Sequence, residues 1–309
     1  MSSSATIERP AAAGDTRSSA PRAGRQRVAW RRIVPFLLMH AACGLVVVVG
    51  CSPIALLVCA GLYVVRMFGV TAFYHRYFSH RSFRAGRVVQ FCGAVLGASA
   101  TQRGPLWWAA HHRKHHRHAD THGDAHSPHA HGFLWSHVGW FAAPQNFATD
   151  LDQVRDFARY PELRWLDRFD LAVPALLLVA LLLLGGLLSA FAPQLGTGAV
   201  QMAVWGFCIS TTLLFHVTSS VNSLGHLMGR RVWPTADQSR NSLLLALLTL
   251  GEGWHNNHHW CPGSVRQGMR WWEIDVCYYL LKVLSVVGLV SDLRPLPARA
   301  RAGERRTPR

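Results

Sequence analysis

The sequence predicts an all-α integral membrane protein with four transmembrane helices and a cytoplasmic helical cap. Three features carry this prediction: four long apolar runs, arginine-rich tails outside them, and three histidine clusters that abut them. A helix needs about 20 apolar residues to cross a bilayer. The first run is 33–50. The second, 54–74, is interrupted only by Arg66. The third, 171–192, is a Leu/Val/Ala stretch without charge, and the fourth is 199–221. Apolar stretches at 88–100, 243–250 and 276–290 are short or follow charged residues. They are expected at the membrane surface or against a buried site.

The formal net charge is +16. Arg9, Arg17, Arg22, Arg25, Arg27, Arg31 and Arg32 precede the first run, and Arg294, Arg299, Arg301, Arg305, Arg306 and Arg309 follow the last. Positive charge collects on the cytoplasmic side, so both tails are expected inside. An even number of crossings agrees. No nucleic acid is expected as a partner, because no recognition motif accompanies the charge. Composition predicts a disordered basic tail over 1–32, a membrane domain over 33–293 and a basic tail over 294–309. The seven cysteines form no C-x-x-C pair and read as small hydrophobes in a reducing compartment. A long polar, Ala/Ser/Arg/Pro-rich stretch precedes the first apolar run, so no secretory signal is expected.

The histidine clusters are His75-Arg-Tyr-Phe-Ser-His80, His112-Arg-Lys-His115-His116 and His255-Asn-Asn-His258-His259. With the N-terminus inside, the second and fourth runs both exit into the cytoplasm, so all the clusters are expected on one face. Positions i, i+3 and i+4 share a helix face. The second and third clusters have that spacing, and Asn222 and His226 stand at i, i+4. His75 and His80 lie about 140° apart on an ideal helix. Either the helix loosens there or the two rings serve different ions. Counting His226, nine imidazoles are too many for one metal ion and suited to two.

Imidazole suits zinc, copper, iron and nickel alike. A hydrolytic zinc site of the H-E-x-x-H kind would carry a Glu inside the cluster, and none does. Glu252, Asp120 and Asp124 are candidates to accept the other N–H of a ligating histidine. Histidine-held redox metals at a membrane point to oxygen activation on a lipid-soluble substrate. His40 and His216, inside apolar runs, and His111 read as structural histidines. His118, His122, His126, His129 and His131 read as a solvated loop, and His137 as a neighbour of the site. Trp107, Trp108, Trp271 and Trp272 read as interface anchors.

These blocks resemble the membrane fatty-acid desaturases of the stearoyl/acyl-CoA Δ9 type. Gly69 through Phe83 resembles their H-x4-H box. Trp108-Ala-Ala-His-His112-Arg-Lys-His115-His116 resembles W-x3-H-R-x-H-H, and Gly251-Glu-Gly-Trp-His255-Asn-Asn-His258-His259 resembles G-E-G-[FW]-H-N-x-H-H. Asn222 to His226 resembles N-S-x-x-H, and Ser136-His-Val-Gly-Trp140 is also similar to the family. The resemblance covers about 34–293.

It implies a di-iron centre that uses O2 and two electrons to place a cis double bond, at Δ9, in a long-chain saturated acyl substrate. The implied iron ligands are His75, His80, His112, His115, His116, His226, His255, His258 and His259, with Asn222 acting through a water. The acyl-CoA members carry an Arg-Asp pair where this chain has Ala110 and His111. The acyl carrier therefore stays open among CoA, phospholipid and carrier protein, with membrane lipid as the surroundings. No cytochrome b5 domain is expected after Asp292, which implies a separate electron donor such as a ferredoxin with its reductase. Arg66, Arg76, Arg81, Arg84, Arg87 and Arg103 suit an acidic donor. The rivals are a membrane di-iron hydroxylase of alkyl or acyl chains and a histidine-rich metal transporter.

Overall fold

The computed structural model describes residues 28–301. Four helices are long and apolar enough to cross a membrane: α1 (Trp30–Val49), α2 (Pro53–Ser79), α6 (Ala172–Phe191) and α7 (Ala199–Leu227). They coincide with the four apolar runs read from the sequence, the first run ending one residue past α1 and the third reaching one residue beyond each end of α6. Shorter helices stand between and after them: α3 (Arg87–Ala98), α4 (Pro105–His118), α5 (Pro161–Arg168), α8 (Leu243–Leu248), α9 (His255–Trp260) and α10 (Val276–Val286). The three weaker apolar stretches became α3, α8 and α10, all too short to span a bilayer.

Helix α1 begins at Trp30, inside the stretch expected as a disordered tail. Of the expected tails, residues 1–27 and 302–309 lie outside the described residues, and 294–301 are described.

Local chemistry sets the helix starts. Ser52 Oγ accepts from Ala55 N at 3.2 Å, with Pro53 in the first turn of α2, where its missing N–H costs nothing. Asp275 caps α10 by accepting from Tyr278 N at 3.0 Å. Along α6, Leu176, Val179, Leu183, Leu187 and Phe191 stand exposed. A helix that is apolar all round fits lipid.

The C-terminal part of α2, Gly69–Ser79, is a wide helical stretch, and every residue in it is buried. Hydrogen bonds there reach five residues back. Helix α3 packs directly on this segment. A Cβ at Gly93 would lie 2.0 Å from the Phe73 ring, and one at Gly97 would lie 2.3 Å from the Tyr74 ring, so only glycine allows the approach. Phe73, Tyr74, Phe78, Leu106, Leu163, Leu166 and Leu281 form the core around it. A two-residue antiparallel pair, β1 (Arg84–Ala85) with β2 (Val290–Ser291), ties the loop after α2 to the end of α10. The ends of α2 and α7, together with α4 and α9, thus meet at one place.

Candidate metal centre

All nine predicted histidines converge there, in two adjoining groups. His75, His80, His112, His116 and His258 can each offer a ring nitrogen to one point, and His115, His226, His255 and His259 to another. Helix geometry sorts them. His112 and His116, at i, i+4 on α4, join the first group, and His115 between them faces the second. On α9, His255 and His259 take the second group and His258 the first. The groups touch: His116 and His259 stack with ring centroids 4.4 Å apart.

The wide turn of α2 answers the spacing question at His75 and His80. His80 N–H donates to His75 O at 3.2 Å, the five-residue step of the loosened helix. Both rings therefore reach the same group, 4.8 Å apart.

Carboxylates stand behind four of the rings. Glu252 lies 2.5 Å from His75 Nδ1, Asp124 2.8 Å from His115 Nδ1, Asp120 2.8 Å from His226 Nδ1, and Asp237 2.9 Å from His259 Nδ1. A carboxylate accepts the Nδ1 proton and leaves Nε2 as a lone pair aimed inward. His115 Nε2 and His259 Nε2 then face each other at 3.3 Å with no proton between them. Two converging lone pairs call for a cation, and a borderline metal with several imidazole ligands fits the donor set. Glu252 and Asp124 were anticipated in this role, as was Asp120. Asp237 was not: it sits 22 residues from His259 in an irregular loop, and no spacing rule marks it.

Burial keeps six of these rings neutral. It pushes His80, His112, His116, His255 and His258 well below the usual imidazole range, with the neighbouring imidazoles adding to the effect. Burial likewise holds His259 at about 4. His115 is the exception: burial lowers it, but the charge and hydrogen bond of Asp124 outweigh that and raise it. Neutral imidazole is the ligating form.

Polar residues fix the frame. Arg76 is buried and bonds Glu252 Oε1 at 3.3 Å, Val265 O at 2.9 Å and Asp275 Oδ1 at 2.9 Å. Gln267 Nε2 donates to Glu252 Oε2 at 2.8 Å. Between the α9 histidines, Asn256 Oδ1 accepts from Val232 N and Trp233 N, both at 2.7 Å, and Asn257 Nδ2 donates to Glu273 Oε2 at 2.8 Å. These two amides point away from the histidines and anchor α9 from behind.

A narrow cavity reaches the first group. Met67, Val70, Thr71 and His75 of α2, Thr218, Val221 and Asn222 of α7, and Trp108, His112, Thr249, Glu252 and His255 line it. Asn222 thus faces the space beside the histidines.

Several sequence expectations need correction. Trp107 is buried and donates to Asn146 O at 2.8 Å, and Trp108 lines the cavity and stacks on His112 at 5.0 Å. Neither is an interface anchor, whereas Trp271 is 84% exposed. His126 is not solvated: it is buried against His115 and Trp140. His129 and His131 bond the backbone carbonyls of His226 and Asp124. The loop wraps the centre instead of dangling from it. Arg66 and Arg76 are each 1% exposed, and Arg103 pairs with Asp170, so these three cannot greet a partner. Arg81, Arg84 and Arg87 pair in turn with Asp156, Asp292 and Glu162, but their side chains stay 62–80% exposed, against 24% for Arg103.

His40 and His216 are satisfied, as expected. His40 Nε2 meets His216 Nε2 at 2.8 Å, and His216 Nδ1 meets His137 Nε2 at 3.0 Å. His137 Nδ1 meets Ser223 Oγ at 2.9 Å, one residue from Asn222.

Comparison with known proteins is consistent with this geometry. Residues 51–284 match the family described as Fatty acid desaturase. A palmitoyl-monogalactosyldiacylglycerol delta-7 desaturase of Arabidopsis thaliana is 35% identical over 80% of this chain and 63% of its own length. An acyl-CoA C20 delta5-desaturase of Anemone leveillei is 36% identical over 77% of this chain and 73% of its own. An sn-2 palmitoyl-lipid 9-desaturase of Nostoc sp. (strain 36) is 34% identical over 74% of this chain and 77% of its own. With the histidine boxes gathered at one place and this match over most of its length, the chain belongs to the fatty acid desaturase family, oxidoreductases that act on acyl chains.

Proposed function

We propose that this protein is a membrane acyl desaturase that places a cis double bond, at Δ9, in a saturated chain carried on a membrane lipid. The two histidine groups hold two iron ions at the cytoplasmic face. The observation that carries the reading is the pair of converging groups, five and four imidazoles, beside a narrow cavity. The reaction consumes a saturated –CH2–CH2– unit, O2, two electrons and two protons, and yields –CH=CH– and two waters. Iron bound here would supply the oxidising power for removing hydrogen from an unactivated C–H bond, which no side-chain base can do.

The chain's own residues do the rest. His75, His80, His112, His116 and His258 would hold one ion, and His115, His226, His255 and His259 the other. Asn222 would act through a water. Glu252, Asp120, Asp124 and Asp237 fix the tautomer and aim of four ligands. Met67, Val70, Val221 and Trp108 give the acyl chain an apolar wall, and Trp108, stacked on His112, sets how near it comes. A lipid carrier is supported by the place where acyl-CoA members have Arg-Asp. Here Ala110 is buried, and His111 bonds Asn146 O at 3.0 Å, so neither offers a charge to a CoA headgroup. Electrons come from a separate acidic protein such as a ferredoxin, and Arg81, Arg84 and Arg87 are the basic side chains left for it.

Expression in a desaturase-deficient host, with lipid analysis by gas chromatography–mass spectrometry, tests the proposal. A new monounsaturated acyl chain, absent with His255→Ala, is expected. Hydroxylated chains would instead favour the hydroxylase chemistry, and an unchanged lipid profile would sink both.

A further inference from the structure

Arg66 lies within α2, is 1% exposed, and has no carboxylate partner among the described residues. A charged side chain in a membrane segment is costly and is by default a functional group. Each of its three nitrogens is nonetheless hydrogen-bonded. Nε bonds Leu62 O at 3.2 Å, Nη1 bonds Thr211 Oγ1 at 2.8 Å and Ser99 O at 3.2 Å, and Nη2 bonds Ser210 Oγ. Ser99 closes the C-terminus of α3, where the helix dipole is negative. The guanidinium therefore ties together α2, α7 and α3 with neutral acceptors and one helix end.

Its position gives this tie a meaning. The cavity wall uses Met67, Val70 and Thr71 on α2 and Thr218 and Val221 on α7. Arg66 directly precedes Met67. Thr211 lies two turns before Thr218, roughly 10 Å along the helix, with the fully buried Leu214 between them. The bridge thus crosses the seam between α2 and α7 just past the end of the cavity that points away from the histidines. From His75 to Arg66 is nine residues, roughly 14 Å.

A seam of aliphatic side chains can open for an acyl tail by rotamer changes. A seam closed by a cation cannot open without stripping that cation of its hydrogen bonds in a region of low dielectric.

We propose that Arg66, braced by Ser210 and Thr211, is the length stop of the acyl pocket: the methyl end of the chain halts against this bridge. The inference rests on the reading that a saturated acyl chain occupies this cavity, and it names the residue that decides which chains fit. Arg66 acts on selectivity, not on the reacting atoms.

The test is a product-length profile. A desaturase-deficient host is fed a stepped series of even-chain saturated fatty acids and expresses the wild type, Arg66→Leu, or the double variant Ser210→Ala/Thr211→Val. The wild type should cut off sharply at one length. Arg66→Leu should raise the ratio of the next longer product to the preferred one by about tenfold or more, as a methylene commonly discriminates in an apolar pocket. The double variant should move the ratio the same way by less. An unchanged ratio in folded Arg66→Leu protein, even with a lower total yield, would overturn the proposal. If Arg66→Leu does not fold, an unchanged ratio in the double variant overturns it.

A second measurement stands apart from catalysis. Metal-free protein in detergent is melted with each saturated acid of the series, and the longest chain that still raises the melting temperature is recorded. That limit should lengthen in the variants, and a limit shared with the wild type counts against Arg66. Wild-type protein that makes no unsaturated product would sink the desaturase reading alone, since the melting series then decides the length stop by itself.

Discussion

The two histidine groups are not equivalent halves. In the four-histidine group, three rings are backed by carboxylates: His115 by Asp124, His226 by Asp120 and His259 by Asp237. In the five-histidine group only His75 is so backed, by Glu252, and that carboxylate is shared with Arg76. The four-ligand half is thus held in tautomer and orientation before any ion arrives. It also carries more negative charge against a bound cation. The five-ligand half relies on ring-to-ring packing and on the wide turn of α2. Pre-organisation should make the four-histidine half the tighter metal site and leave the five-histidine half the adaptable one.

The largest test removes one ligand from each half. His258→Ala and His255→Ala should both drop desaturation to the host background, and each should keep only one ion by elemental analysis. The ion left in His258→Ala should resist a chelator that strips the ion left in His255→Ala. Equal resistance would break the comparison.

Acid comes next. Below the ordinary histidine range, near pH 6.5, the unfolded chain takes up protons that the buried rings refuse. His259 holds out to about 4 and His126 to about 3, both because of burial. The metal-free protein should therefore lose stability as pH falls from about 6.5 toward 4, by up to about 1.4 kcal/mol per pH unit for each such ring. The raised His115 opposes this in part. Thermal melts across that range check it, and a flat profile would mean that the empty groups are open to solvent.

Smaller effects sharpen the contrast. Asp237→Asn should weaken metal binding in the four-histidine half by about 10–100-fold and leave the other half unchanged, as read by competition with a chromophoric chelator. At the surface, Arg81→Glu should raise the KM for an acidic electron donor only a few-fold, and more so at low salt than at high salt.

Much of this was legible in the chain. The four spans followed from apolar length. That His112, His115 and His116 serve one centre followed from their i, i+3, i+4 spacing, but their division between two groups did not and needed the fold. The wide turn at His75 was one of two readings left open by a five-residue step. What the sequence hid depends on long-range pairing. Arg66 and Arg76 read as surface charge because their partners, Thr211 and Asp275, lie 145 and 199 residues away. Asp237, Trp108 and His126 gained their roles from an irregular loop and a helix face that fold around the site, and no periodicity records such a wrap.

The broadened turn of α2 also sets a strict register on the gene. Deleting one residue between Gly69 and Tyr74 would draw the segment back toward ordinary pitch, at which His75 and His80 stand about 140° apart instead of in the one group where His75 meets His258 at 3.0 Å. In a sequence where most helix surfaces tolerate substitution, this stretch should accept changed letters far more readily than a changed letter count.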